Sequence, residues 1–350
     1  MKMKGAYYFR LWRLLRRLRA WRFAALVFTI FNVKCFPFVW HYRFFIPVLT
    51  ASLRKPVEQC PAMLRRQTNG VPLVFLPIIT TTRVPLLEGD FNLHKSNSTY
   101  FTDLDTSRAH LLAFLCFKGM AKLDKDLRAA GKSGILTVML GSTQTSFKRE
   151  IPTFHPYEVW SRILTWDQKW LYIVTHFVQK GKIKPTASVT NIGGVKRKPK
   201  TSVRGVTEIA KSNSLEDEKT PASSSTDLDS PIFATAISKC VFKKGRLTIA
   251  PERVLDISGL LSKVAPDSSP IDLSYPDVRA NGSTAYHTTE EMCNFQLAKT
   301  IEKERLKGLK YADLLSGLEE LQGQLLKDEE VSNGVISLGT FNDYGQHISH

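Results

Sequence analysis

A carboxylate, an imidazole and a carboxamide follow one another at spacings of four and three residues as Asp90, His94 and Asn97. With Asn92 they form a polar cluster that runs, free of Pro and Gly, into about twenty residues of helical pattern ending near Gly119. Phe101, Leu104, Leu111, Leu112, Leu115 and Cys116 recur mostly at steps of three, four and seven, which predicts a long, largely buried helix. The start of such a helix presents unpaired N–H groups and partial positive charge, suited to a carbonyl oxygen or a developing oxyanion. Asp90 and His94 are held beside it. Asp, Asn and Ser before a helix are also ordinary caps, so the loop by itself leaves capping open beside catalysis.

The elements that must position this loop are mostly strands. A β-rich stretch at 77–87 precedes it, three strand-like runs follow at 137–151, 157–166 and 170–179, and the strand pattern returns at 232–242 and 247–249. A long helix followed by an antiparallel meander predicts an α+β hotdog fold, a central helix wrapped by an antiparallel sheet. His176 lies on one face of the third run and reads as a satisfied sheet histidine. A charged, solvated segment is expected at 122–132.

The spacing Asp, three residues, His, two residues, Asn, two residues, Tyr is filled here by Asp90, His94, Asn97 and Tyr100. It resembles the hotdog-fold thioesterases of the 4-hydroxybenzoyl-CoA type, and more closely the membrane-associated group called thioesterase superfamily member six. The strand block resembles that group too, in Arg149-Glu150, in Tyr157 to Arg162 and in the turn Trp166-Asp167-Gln168-Lys169-Trp170. The likeness covers residues 77–180 and a returning segment at 231–255. Two departures stand in the loop: Glu88 where an Asp is usual, and Lys95-Ser96 in place of an apolar-Asn pair.

What the resemblance implies is a thioester hydrolase acting on fatty acyl-CoA without cofactor or metal, with Asp90 as general base or nucleophile. His94 and Asn97 would fix the loop or position water, and N–H groups between Asn97 and Tyr100 would hold the oxyanion. It also implies a homodimer with acyl-CoA sites at the interface, the CoA phosphates meeting basic groups among Lys95, Arg108, Lys148 and Arg149. Because hotdog domains also serve as non-catalytic acyl binders, the altered flanks keep a second class open: an acyl-lipid binding or interaction module at a membrane.

The net charge of +17 is concentrated: residues 1–55 contain twelve Lys or Arg and no Asp or Glu. Nucleic acid is the usual partner of a basic arm, yet these residues are interleaved with Tyr7, Phe9, Leu11, Trp12, Leu14, Leu15, Leu18, Trp21 and Phe23. Leu11, Leu14, Leu15, Leu18 and Ala25 share one side of a helix, as in a segment lying in a membrane interface and drawn to anionic lipids. No nucleic-acid partner is expected. The apolar run at 23–33 is too short to cross a bilayer, which needs about twenty residues. Either a crossing over 23–49 tolerates Lys34, His41 and Arg43, or the anchor is shallow. The expected location is the endoplasmic reticulum or another endomembrane, rather than a mitochondrion.

Cys35, Cys60, Cys116, Cys240 and Cys293 are odd in number, widely spaced and without metal-ligand spacing, so they read as free or buried thiols in a reducing compartment. The expected organisation is a membrane-anchor segment at 1–55 and a hotdog domain at 77–255, interrupted by a disordered insertion at 180–230 rich in Lys, Ser, Thr and Pro. An extension at 256–350 follows, with a helix near 290–326 and a flexible tail.

Overall fold

The computed structural model describes residues 20–53, 71–185, 230–261 and 282–312, with Arg16 and Leu315. The start of the anchor segment, nearly all of the 180–230 insertion and the part of the expected 290–326 helix beyond 312 lie outside the described residues, apart from Arg16 and Leu315. Six strands form one sheet: β1 (Ile78–Arg83), β2 (Leu136–Phe147), β3 (Pro156–Trp166), β4 (Leu171–Gln179), β5 (Ile232–Lys244) and β6 (Leu247–Ile249). The order is β1-β3-β4-β5-β2, with β6 on β5. Helices α1 (residues 20–31), α2 (Val39–Leu53), α3 (Thr99–Ala129), α4 (Pro251–Ile257) and α5 (Gly282–Ala312) complete it. A long helix set in an antiparallel sheet of this order is the hotdog arrangement.

Helix α3 runs ten residues past the Gly119 at which the sequence places its end, through the stretch expected to be solvated. The apolar stripe continues through Leu123 and Leu127, both buried. Gly119 is glycine for a different reason than helix termination. A Cβ there would fall on Ser258 Oγ and 2.8 Å from the backbone N and Cα of Ser258, so the residue admits the turn after α4 against the helix.

The described residues fall into two compact units. One is drawn from Met1–Phe114, Ser146–Ser161 and Thr175–Thr235, the other from Leu115–Thr145, Arg162–Val174 and Ala236–His350. In the first, β1 pairs antiparallel with β3 in the register Thr80↔Val159. Tyr100 on the first turn of α3 meets Phe147 and Phe177 edge-on at centroid distances of 5.0 and 4.8 Å. A buried ladder of hydroxyls, Ser107 to Ser161 to Thr175, each step 2.7 Å, satisfies the polar groups between helix and strands. His176 pairs with Thr235 Oγ1 at 3.0 Å, as a sheet histidine does.

Also in this unit, α1 and α2 are separated by a 3-10 turn, Val33–Cys35, and α2 carries Pro47 inside. No helix among the described residues is long and apolar enough to cross a membrane. Both helices and the turn between them instead direct large apolar side chains outward: Trp21, Phe23, Leu26, Ile30, Phe38, Tyr42, Phe45 and Leu49 are all exposed, Phe38, in the turn, at 79%. So large an apolar surface marks an interaction face.

In the second unit, Lys244 is buried and donates to Asp124 Oδ1 (2.6 Å) and Gly134 O (2.9 Å), pinning β5 to the far half of α3. Helix α5 lies on β3 and β4. Thr165 Oγ1 donates to Arg305 O (2.7 Å), Arg305 Nη1 donates to Trp166 O (3.0 Å), and Leu164, Tyr172 and Val174 pack with Ala312 and Leu315. The strands there are thus buried on both faces. Gly308 makes the contact possible, since a Cβ would sit 2.5 Å from Leu164 O and 2.7 Å from Thr165 Cβ. Gly308→Ala is therefore expected to destabilise the protein by about 1–3 kcal/mol through overpacking, despite alanine's better helix propensity. An unchanged melting temperature would show that α5 does not seat at this point.

Candidate active site

The loop between β1 and α3 is a tight hairpin. Gly89 bridges Lys95, Asp90 N donates to His94 O (2.8 Å), and Ser96 N donates to Glu88 O (2.8 Å). Its outer side is pinned by Lys95 N to Ile151 O (2.8 Å) and Thr153 N to Leu93 O (3.0 Å). Leu93 takes a left-handed backbone, φ 59°, a conformation costly for a residue with a Cβ and characteristic of functional loops.

Asp90 is half-buried within this turn, and its Oδ1 accepts the N–H of Asn92 (2.9 Å) and of His94 (3.1 Å). Among the described residues its hydrogen bonds fall on Oδ1, leaving Oδ2 available. His94 Nδ1 stands 2.9 Å from the exposed Glu150 Oε2 but outside hydrogen-bond geometry, an approach that the sequence signals only through the Arg149-Glu150 pair of the strand block. Asn97 is exposed at the mouth of α3, and its side chain is not joined to Asp90 or His94; Asn92 is exposed as well. The backbone there separates spent donors from free ones. Thr99 N, Tyr100 N and Phe101 N donate to Ser96 O, Asn97 O and Ser98 O, whereas the N–H groups of Asn97 and Ser98 donate to nothing among the described residues.

Below the loop lies a cluster that sequence reasoning missed. Asp103, on the second turn of α3 and 1% exposed, accepts from Lys34 Nζ (3.1 Å), Arg43 Nη2 (2.9 Å) and Tyr157 Oη, and pairs with Lys95 Nζ (3.0 Å). Glu88 accepts from Lys34 Nζ (2.8 Å) and Lys95 Nζ (2.7 Å). Three cations thus surround two carboxylates in the interior. The signal for it was the pair of departures, Glu88 and Lys95, but their partners come from residues distant in sequence. Lys95 is consumed here and Arg108 is buried against Asp105, which removes both from the basic groups that could meet CoA phosphates.

Burial alone would raise the Asp103 carboxyl, but Lys34, Lys95, Arg43 and the Tyr157 hydroxyl more than reverse this and hold it well below the usual carboxylate range. Burial lowers the Lys34 ammonium and raises the Tyr157 phenol, whose neighbour Asp103 pushes it the same way. The Cys116 thiol, in the core, is pushed up to about 12 by burial and stays protonated. Because the folded pKa of Asp103 lies below its unfolded value of about 3.9, its stabilisation is complete above about pH 4 and is lost as pH falls through the folded value. The difference in melting temperature between the parent and Asp103→Asn should accordingly shrink as pH is lowered from 7 to 2. A difference independent of pH would contradict the ion network.

A central helix in an antiparallel sheet, with an acidic loop at the helix mouth, defines the class as a hotdog-type thioesterase fold. The chain belongs to the Thioesterase-like superfamily, whose family profile matches residues 84–209. It is 32% identical to Thioesterase poxG of Penicillium oxalicum over 330 residues, 93% of this chain and 92% of that protein. To Probable thioesterase atnL of Emericella nidulans it is 30% identical over 330 residues, 92% of each. Protein THEM6 of Drosophila melanogaster is 28% identical over 88 residues, 25% of this chain and 40% of that one. The family relation makes the chain a thioester hydrolase.

Proposed function

We propose that the protein hydrolyses fatty acyl-CoA thioesters at a membrane surface, with Asp90 as the centre of the reaction. The observation that carries this is the Asp90 turn: two backbone N–H groups fix one carboxylate oxygen at the mouth of α3 and leave the other for chemistry. As general base, Asp90 Oδ2 takes a proton from the water that attacks the thioester carbonyl; as nucleophile, it attacks that carbon itself, and water then cleaves the resulting acyl-aspartyl anhydride to free the acid and restore the carboxylate. The N–H groups of Asn97 and Ser98 receive the oxyanion, and the CoA thiolate departs. His94 and the Asn97 side chain hold the loop or the water.

Membrane association rests on the outward apolar faces of α1 and α2 within a segment of uniformly basic charge, the combination that binds anionic bilayers shallowly. The location that goes with this reading is the endoplasmic reticulum or another endomembrane, with the free thiols of Cys35, Cys116 and Cys240 on its reducing, cytosolic side rather than in an oxidising lumen. Dimerisation is supported by β2, a long edge strand with Met139, Leu140 and Phe147 exposed, which needs a partner to be safe from aggregation. The segment organisation of the sequence reading, anchor, hotdog domain and extension, belongs to the same proposal.

Thiol release from a panel of short to long acyl-CoAs by the full chain in anionic vesicles tests this reading. Hydrolysis of one chain-length class, by protein that floats with the vesicles, is the expected result. A folded protein inactive on every chain length would instead be an acyl-lipid binding module.

A further inference from the structure

We infer that Lys34, in the membrane segment, is a positioning residue for the Asp90 loop, so that the anchor is part of the catalytic unit rather than a tether. The inference rests on the reading of Asp90 as the reacting group. The turn that carries Lys34 is fixed to the hydrolase domain at three points. Asn32, 1% exposed, donates through Nδ2 to Phe28 O (2.8 Å) and accepts Leu87 N at Oδ1 (2.9 Å). Phe31 meets Phe154 edge-on at 5.7 Å. Lys34 Nζ itself reaches Glu88, Asp103 and the Tyr157 hydroxyl at 2.8, 3.0 and 3.3 Å.

Those contacts bracket the reacting loop. Glu88 is the residue before Gly89 and Lys95 the residue after His94, so their ion pair closes the hairpin at both ends of its neck, and Lys95 and Lys34 each bridge Glu88 to Asp103 on α3. Lys34 is the group from outside the loop and helix that ties Glu88 to Asp103. Of the three positions at which the loop departs from the thioesterase pattern, Glu88 and Lys95 build this socket. Glutamate at 88 has one methylene more reach than aspartate, and lysine at 95 supplies charge where an apolar side chain could not pair.

Without residues 1–55, Lys34 and Arg43 are lost and Glu88 and Asp103 are left to Lys95 alone, with an excess buried negative charge at the neck of the loop that carries Asp90. The loop neck then has no reason to keep its present spacing, and misplacing a reacting group by about 1 Å costs as much as a hundredfold in rate.

The test uses the full chain in anionic vesicles with a short-chain acyl-CoA that stays in water, comparing the parent, Lys34→Met and Asp90→Asn. Lys34→Met should lower kcat at least about tenfold with KM within about twofold, while flotation with vesicles and melting remain cooperative. Parental kcat in Lys34→Met beside an inactive Asp90→Asn overturns the inference alone. Parental kcat in Asp90→Asn overturns the reading of the site beneath it, a distinguishable result. If Lys34→Met fails to fold, Lys34→Met/Glu88→Gln removes one cation and one carboxylate together and keeps the charge difference of the cluster. Its kcat should stay low, and recovery to the parental value would reduce Lys34 to charge balance and overturn the positioning role.

Discussion

Asp90→Asn should lose at least about a hundredfold in kcat for acyl-CoA hydrolysis while melting within a few degrees of the parent, as removal of a general base or nucleophile does. The substitution is informative because of how the loop is built. Asp90 Oδ1 accepts two backbone N–H groups that close the turn, and an asparagine Oδ1 accepts the same two at the same reach. Only the charge and the chemistry at Oδ2 change. Asp90→Ala would remove the turn's fastening as well and would confuse misfolding of the loop with loss of the reacting group. The measurement is single-turnover thiol release by both variants, beside their thermal melts. A smaller loss, of threefold or less, would move the catalytic role away from Asp90 and toward the His94–Glu150 pair.

The path from sequence to site was legible where it depended on local spacing. Periodicity of Leu104, Leu111, Leu115 and Cys116 gave the central helix, and β-branched runs gave the strands, because both patterns are written in neighbouring residues. Gly119 misled the helix boundary since a glycine that stops a helix and a glycine that admits another backbone look alike until Ser258 is in place. The second buried face of β3 and β4 was hidden for the same reason: α5 covers it from the far end of the chain. Most of all, Lys34 and Arg43 read as surplus cations in a basic arm. Their role emerges only when the fold carries Glu88, Lys95 and Asp103 to them, and no local pattern encodes a five-charge cluster drawn from three separate segments.

That cluster gives the largest expected effect on stability. Asp103→Leu should cost about 3–5 kcal/mol, because Lys34 and Lys95 would then share Glu88 as their one remaining carboxylate and Arg43 would lose its partner, leaving buried positive charge uncompensated. Against a total stability of about 5–15 kcal/mol for an ordinary domain, such a loss leaves a substantial unfolded fraction. The pair Asp103→Leu/Lys34→Met removes one charge of each sign and fills the space with apolar atoms, and replacing a buried ion pair in that way is often close to neutral. Lys34 already bears the cost of desolvation, which lowers its affinity for a proton in the folded protein. The double variant is therefore expected to melt above Asp103→Leu alone while remaining catalytically slow, since the tie from Glu88 to Asp103 is gone. Chemical denaturation of the four proteins closes the cycle. Additive losses would mean that Lys34 and Asp103 do not interact, and recovery of activity along with stability would mean that the buried charges hold the fold and do nothing for the loop.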